Sequence, residues 1–110
     1  MFLITLFSKK CVLIKIEMDI IPSYEIEEIN LINYNLETRN IILSNFKNYT
    51  KLKKFNCYNN NLTELPNLPN SLIELSCSYN KLTELPDLPI SLIKLDCSCN
   101  NLTKLPNLHN

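Results

Sequence analysis

The last sixty residues form three consecutive 20-residue blocks that align without a gap: KLKKFNCYNNNLTELPNLPN (51–70), SLIELSCSYNKLTELPDLPI (71–90) and SLIKLDCSCNNLTKLPNLHN (91–110). A fixed period of this length predicts that each block is one structural unit and that successive units stack. Stacking places equivalent side chains on top of one another, so apolar columns in the alignment become continuous stripes of a shared core. The chain is therefore predicted to build its core from repeats.

Identical residues fall in columns along the three blocks. Leucine recurs at positions 52/72/92, 62/82/102, 65/85/105 and 68/88/108, cysteine at 57/77/97, asparagine at 60/80/100, threonine at 63/83/103 and proline at 66/86/106. A further apolar column consists of Phe55, Leu75 and Leu95.

The spacing inside a block changes halfway through it. Leu75 and Cys77 alternate with Ser76, which is the period of two expected of a short strand with one buried face. After Asn80 the leucines are three residues apart and proline follows two of them, which excludes an ordinary helix and favours an extended return. Each block is predicted to be a strand, a turn and an extended return segment.

The asparagine column has a predicted structural role. A buried amide side chain can satisfy backbone groups that are left open where the chain turns out of a strand. Stacked in successive repeats, Asn60, Asn80 and Asn100 are expected to form a ladder of such hydrogen bonds. Because the chain has no glycine, turns that need a positive φ are expected to use Asn or Asp, as at 59–61 and 100–101.

The string L-x-x-L-x-C-x-x-N-x-L-T-x-L-P-x-L-P-x-S resembles the leucine-rich repeat in its short 20-residue LPxLP variety, found in bacterial effectors and in repeat proteins of A/T-rich viruses and protists. The resemblance covers 51–110. It implies a mostly β, α/β-solenoid fold: a right-handed superhelix with short parallel strands on the concave side and extended, non-helical segments on the convex side. Ligands of the family are usually proteins that bind the concave side.

Some bacterial effectors of this type carry a ubiquitin-ligase domain after the repeats. The 110 residues contain no segment that could form one, so the resemblance does not imply ligase activity for them. A weaker alternative is an effector-like adaptor that acts with a catalytic partner in trans.

Residues 26–50 are predicted to be a degenerate first repeat or a cap. Ile26, Ile29 and Leu31 reproduce the spacing of the strand, 26 residues before the next copy at Leu52. The segment 37–49 has no proline and is expected to be part-helical. Its predicted inward residues are Ile41, Ile42, Phe46 and Tyr49.

Residues 1–25 are predicted to be apolar strands or a cap. Two apolar runs within 1–17 flank Ser8, Lys9 and Lys10, a pattern that favours a hairpin. The lysines follow the first run instead of preceding it, unlike a signal peptide, and the runs are too short to span a membrane. We therefore expect an intracellular location. Met18 is an alternative start of the chain.

Composition limits the function classes. With 45% hydrophobic and 20% charged residues the chain is predicted to be globular, and its length allows one small domain. The formal net charge is zero, so we expect neither a nucleic-acid nor a membrane partner.

Neither metal binding nor catalysis is predicted. Cys57, Cys77 and Cys97 are twenty residues apart, unlike zinc-ligand pairs, and they are expected to fill an inward column as small apolar side chains. Cys97 and Cys99 are expected to start on the same face of a strand. The only histidine, His109, is next to the last residue and gives no nucleophile a fixed base. We therefore expect a non-enzymatic protein without a cofactor.

The predicted partner-binding surface is the concave side, where exposed aromatic residues among polar ones make good anchors for a protein of unknown identity. The alternative for the charged column 54/74/94 is that its members pair with one another. The predicted surface consists of Lys54, Asn56, Tyr58, Glu74, Ser76, Ser78, Tyr79, Lys94, Asp96 and Ser98.

A second class of function stays open. The 110 residues could be a fragment or remnant of a longer repeat protein, because no polar cap follows the last leucines. Leu102, Leu105 and Leu108 are then expected to form an exposed edge that promotes self-association.

Overall fold

The computed structural model describes residues 26–31, 40, 42–44 and 46–106, and the backbone of residues 2–3 and 15–16. The predictions for Ile41, Leu108 and His109 lie outside the described residues, as does that for Met18.

Four short parallel strands form one sheet and lie side by side in the order in which they occur in the chain. Their bounds are β3 Glu28–Asn30, β4 Lys54–Asn56, β5 Glu74–Ser76 and β6 Lys94–Asp96. Glu28 pairs with Lys54, Lys54 with Glu74, and Glu74 with Lys94. The strands are therefore 26 residues apart at the first step and 20 at the next two, as the alignment of the blocks predicts.

The same backbone hydrogen bonds recur from one block to the next. Cys57 N donates to Ser76 O at 2.8 Å, and Cys77 N donates to Asp96 O at 2.8 Å. The return segments are also joined, since Lys81 N donates to Leu62 O at 2.8 Å. Each block consequently provides hydrogen-bond partners for backbone groups of its neighbour. These contacts offset the conformational entropy that is lost when a block becomes ordered.

The predicted alternation of buried and surface positions is present in the strands. Leu75 and Cys77 are buried, whereas Ser76 between them is half-buried. Leucine columns close the core behind the sheet, where burying one leucine side chain contributes about 1.5–3 kcal/mol. The fully buried leucines are Leu31, Leu52, Leu72 and Leu82.

Aromatic residues fill the core beside β3 and β4, the first two strands of the parallel sheet. Asn40 and residues 42–44 are helical and a 3₁₀ helix spans Phe46–Asn48, as expected of a part-helical return. Ile42, Phe46 and Tyr49 are buried, and the ring of Phe46 lies 4.5 Å from that of Phe55 between centroids. These large side chains belong to the same core cluster as the leucines of the later blocks.

The third block is the least covered of the three. Leu85 is 7% exposed, but its equivalent Leu105 is 54% exposed. Leu102 is half-buried and packs against the core, so the predicted exposed edge is reduced at that position. The difference arises because, among the described residues, β6 has a neighbouring strand on one side only.

Two further strands, β1 Phe2–Leu3 and β2 Lys15–Ile16, pair antiparallel. The antiparallel pairing of the two apolar runs is the arrangement that a hairpin requires. In the described part of the chain, no helix has both the length and the apolar character needed to cross a membrane.

Candidate binding surface on the parallel sheet

A row of alternating charges crosses the outward face of the sheet. Lys54 Nζ lies 3.4 Å from Glu28 Oε1 and 3.9 Å from Glu74 Oε2, and Lys94 Nζ lies 3.6 Å from Glu74 Oε1. The strand register imposes this arrangement, because Glu28, Lys54, Glu74 and Lys94 occupy paired positions. Pairs this exposed contribute about 0–1 kcal/mol each. The positive and negative charges of this row therefore largely cancel one another.

Tyr58 and Tyr79 form an exposed aromatic pair beside this row. Their ring centroids are 5.3 Å apart with an interplanar angle of 59°, and the side chains are 40% and 52% exposed. They occupy different columns of the alignment, since Tyr58 is equivalent to Ser78 and Tyr79 to Asn59. The contact is therefore diagonal between two blocks, a relationship that the columns do not reveal.

The backbone at Tyr79 explains how the diagonal contact forms. Its φ is 57°, in the left-handed region, and the equivalent residues Asn59 and Cys99 have φ of 56° and 54°. The prediction that such turns use only Asn or Asp is thus correct at Asn59 and Asn61 and wrong at Tyr79 and Cys99. A large side chain in this region is unfavourable by about 1–2 kcal/mol. Neighbouring blocks that hold the turn from both sides offset that cost.

One residue assigned to the predicted binding surface is not accessible. Ser78 is only 2% exposed, while its equivalents Tyr58 and Ser98 are exposed. Ser78 follows β5, which has a neighbouring strand on each side, whereas Ser98 follows β6, the strand at the edge of the sheet. The prediction that Ser78 lies on the accessible outward face is therefore wrong. Asn56 and Ser76 are half-buried.

Asp96 is an exposed carboxylate with a fixed position. Its Oδ1 accepts hydrogen bonds from Ser98 N at 3.1 Å and from Ser98 Oγ at 2.7 Å. These two bonds, together with one from the Ser78 side chain, lower the pKa of the Asp96 carboxyl below its usual value. Asn56, its equivalent in the first block, likewise accepts from the backbone N–H two residues on, that of Tyr58 at 3.0 Å.

The asparagine column supports the turns behind this surface. Asn80 Oδ1 accepts from Asn60 N at 3.0 Å and from Leu62 N at 2.9 Å. Its Nδ2 donates to the carbonyls of Cys57 and Cys77, each at 3.0 Å. One amide thereby bonds the backbone of its own block and that of the preceding one.

Asn100 repeats this arrangement one block later. Its Oδ1 accepts from Leu82 N at 3.0 Å, and its Nδ2 donates to Cys77 O at 2.9 Å and Cys97 O at 3.1 Å. Asn60 Nδ2 donates within its own block, to Cys57 O at 2.9 Å. The three side chains hold the strand exits in position for the residues on the outward face.

The described cysteines are free thiols with unequal exposure. Cys57 and Cys77 are buried, Cys97 is half-buried and Cys99 is exposed. Desolvation, with a smaller contribution from Cys97, raises the pKa of Cys77 to about 12, and burial raises that of Cys57 further. The expectation that Cys97 and Cys99 share a strand face is wrong, because β6 ends at Asp96 and Cys99 sits in the left-handed turn.

Among the residues that the structure describes, two open clefts lie away from the outward face, on the side of the return segments. The first, of about 450 Å³, lies between the helical residues and the first return segment, and Glu64 is its titratable residue. The second, of about 400 Å³, includes Lys47, Asn67 and Asn70. Neither lining contains a histidine or a cysteine. Within the described residues, no three His, Cys, Asp or Glu side chains are grouped to hold a metal ion.

No protein-family model, curated protein or solved structure matches this chain.

Proposed function

We propose that the chain is a leucine-rich-repeat solenoid whose outward sheet face binds another protein, without catalysing a reaction. The repeat assignment is supported by two observations. The strands stack at twenty-residue intervals, and the side chains of Asn80 and Asn100 each form hydrogen bonds to the backbone of the preceding block.

The observation that carries the binding proposal is the exposed pair of Tyr58 and Tyr79. Two tyrosine rings packed against each other at the surface present a rigid, amphipathic area that loses little conformational entropy on binding. Such residues are enriched among those that dominate interface energies. Tyr79 retains this exposed position in an unfavourable backbone conformation, which a purely structural role does not require.

The surroundings of the pair also suit a protein interface. The neighbouring charges cancel within the row of Lys54, Glu74 and their partners, so a polar rim surrounds the rings without a strong repulsive field. The concave curvature expected of the fold would give a partner contact with several strands at once.

The test uses the full 110-residue chain as bait in extracts of the cells that produce it. Candidate partners are then purified and their affinity is measured directly by titration calorimetry. We expect the double variant Tyr58→Ala/Tyr79→Ala to weaken binding at least about tenfold. Ile90→Ala is the matched control, because Ile90 is an exposed apolar residue outside this surface, at 83% exposure.

Circular dichroism establishes that both variants fold. A partner whose affinity is unchanged by the double variant, but reduced by changes in the return segments, would contradict the proposed surface.

A further inference from the structure

The charges on the outward face are not distributed evenly. Glu28, Lys54, Glu74 and Lys94 alternate as two carboxylates and two ammonium groups, and each contacts an opposite charge. Asp96 is a fifth charge on the same face. In the part of the chain that the structure describes, no cation lies within ion-pair distance of it.

Asp96 is also connected to the aromatic pair. Ser98, which donates twice to its carboxylate, accepts a hydrogen bond from Tyr79 N at 3.1 Å through its carbonyl oxygen. A hydrogen bond with the Cys99 side chain is the main cause that raises the pKa of the Tyr79 phenol, and the negative charge of Asp96 makes a smaller contribution in the same direction. A carboxylate with a fixed geometry is thus connected through Ser98 to Tyr79, whose ring packs against that of Tyr58.

We propose that Tyr58, Tyr79 and Asp96 form a receptor for one cationic side chain, lysine or arginine, of the protein partner. This proposal rests on the proposed function and specifies the chemistry of the partner. A cation is attracted by the face of an aromatic ring and by the carboxylate, and both attractions act on the same group.

The same charges disfavour other occupants. An acidic or phosphorylated side chain would meet the charge of Asp96, while the ammonium group of Lys94 is already paired with Glu74. A purely apolar side chain would cover the carboxylate without replacing its water, which is unfavourable. A cationic side chain satisfies both components of the site.

Nuclear magnetic resonance of the nitrogen-15-labelled full chain tests this proposal without knowledge of the partner. The probes are three blocked tripeptides with glycine on both sides of arginine, glutamine or glutamate. We expect the arginine peptide to shift the amide signals of Tyr58, Tyr79 and Ser98 and to bind about fivefold more tightly than the glutamine peptide at low salt. This preference should decrease at about 1 M salt, because exposed charges are then screened.

Asp96→Asn is the decisive variant, and Asp87→Asn is its control because Asp87 is an exposed carboxylate on a return segment. The preference for arginine should decrease in Asp96→Asn, where only the attraction by the rings is left, and persist unchanged in Asp87→Asn. An undiminished preference in Asp96→Asn, equal binding of the arginine and glutamine peptides, or the absence of shifts with arginine would each overturn the inference. If protein binding depends on the tyrosines but not on Asp96, the proposed function stands and only the cationic specificity fails.

Discussion

Asn80 Nδ2 donates a hydrogen bond of 3.0 Å to the carbonyl oxygen of Cys57, 23 residues earlier in the chain. The other end of the same amide accepts from Asn60 N and Leu62 N. A single side chain therefore satisfies backbone donors and acceptors at the turn of the preceding block. Because these groups are buried, the amide determines whether two blocks can stack without unsatisfied polar atoms.

Replacing this amide should be costly. We expect Asn80→Ala to lower the free energy of unfolding by about 3 kcal/mol or more, since several buried backbone groups lose their partner at about 1–3 kcal/mol each. Asn100→Ala is the control with the same chemistry, and its cost should be about 1 kcal/mol because Asn100 is half-buried and water can replace it. Urea denaturation followed by circular dichroism measures both, and equal costs would contradict this role of burial.

A second prediction concerns the left-handed residue on the surface. Tyr79→Asn places at this position the residue that its equivalent, Asn59, has at nearly the same φ. We expect the free energy of unfolding to increase by about 0.5–1 kcal/mol, because relief of the backbone outweighs the lost ring contact. The same variant should bind the partner more weakly.

Tyr58→Asn serves as the control for that experiment. It removes the same ring contact without relieving a left-handed backbone, so it should lower stability slightly. If Tyr79→Asn and Tyr58→Asn destabilise the chain equally, the conformation of Tyr79 carries no cost and does not argue for function.

The repeat alignment predicts the core well because core positions depend on the period alone. Leu75 and Cys77 follow from the alternation of a strand, and their registers with neighbouring blocks follow from the twenty-residue interval. Ile29 pairs with Phe55 despite the longer first interval, since the strand pattern is intact there. These features need no knowledge of turn geometry.

The surface is less predictable, for a physical reason. The contact between Tyr58 and Tyr79 joins residues 21 positions apart, so it crosses the columns and depends on a left-handed turn. The burial of Ser78 likewise depends on which strands are central and which is at the edge. An alignment of repeats treats all blocks as equivalent, whereas the surface depends on their differences.

Thiol reactivity should separate the described cysteines by exposure. In a Cys11→Ser background at pH 7, we expect maleimide to modify Cys99 readily and to leave Cys57 and Cys77 unmodified until urea unfolds the chain. Peptide mass mapping after short exposures measures this order. Rapid modification of Cys57 in the folded chain would show that the cysteine column is open to solvent.

The buried thiols also predict a loss of stability at alkaline pH. An ordinary cysteine has a pKa of 9.0, whereas burial raises the pKa of Cys77 to about 12. Between these values the unfolded chain releases a proton that the folded chain retains, so stability is complete below pH 9.0 and falls as the pH rises toward 12. Each such thiol contributes about 1.4 kcal/mol per pH unit to this decrease. Urea denaturation at several values between pH 9 and 11 should therefore give a shallower decrease for Cys77→Ala than for the unmodified chain. Identical slopes for Cys77→Ala and the unmodified chain would mean that the thiol of Cys77 ionises as easily in the folded chain as in the unfolded one.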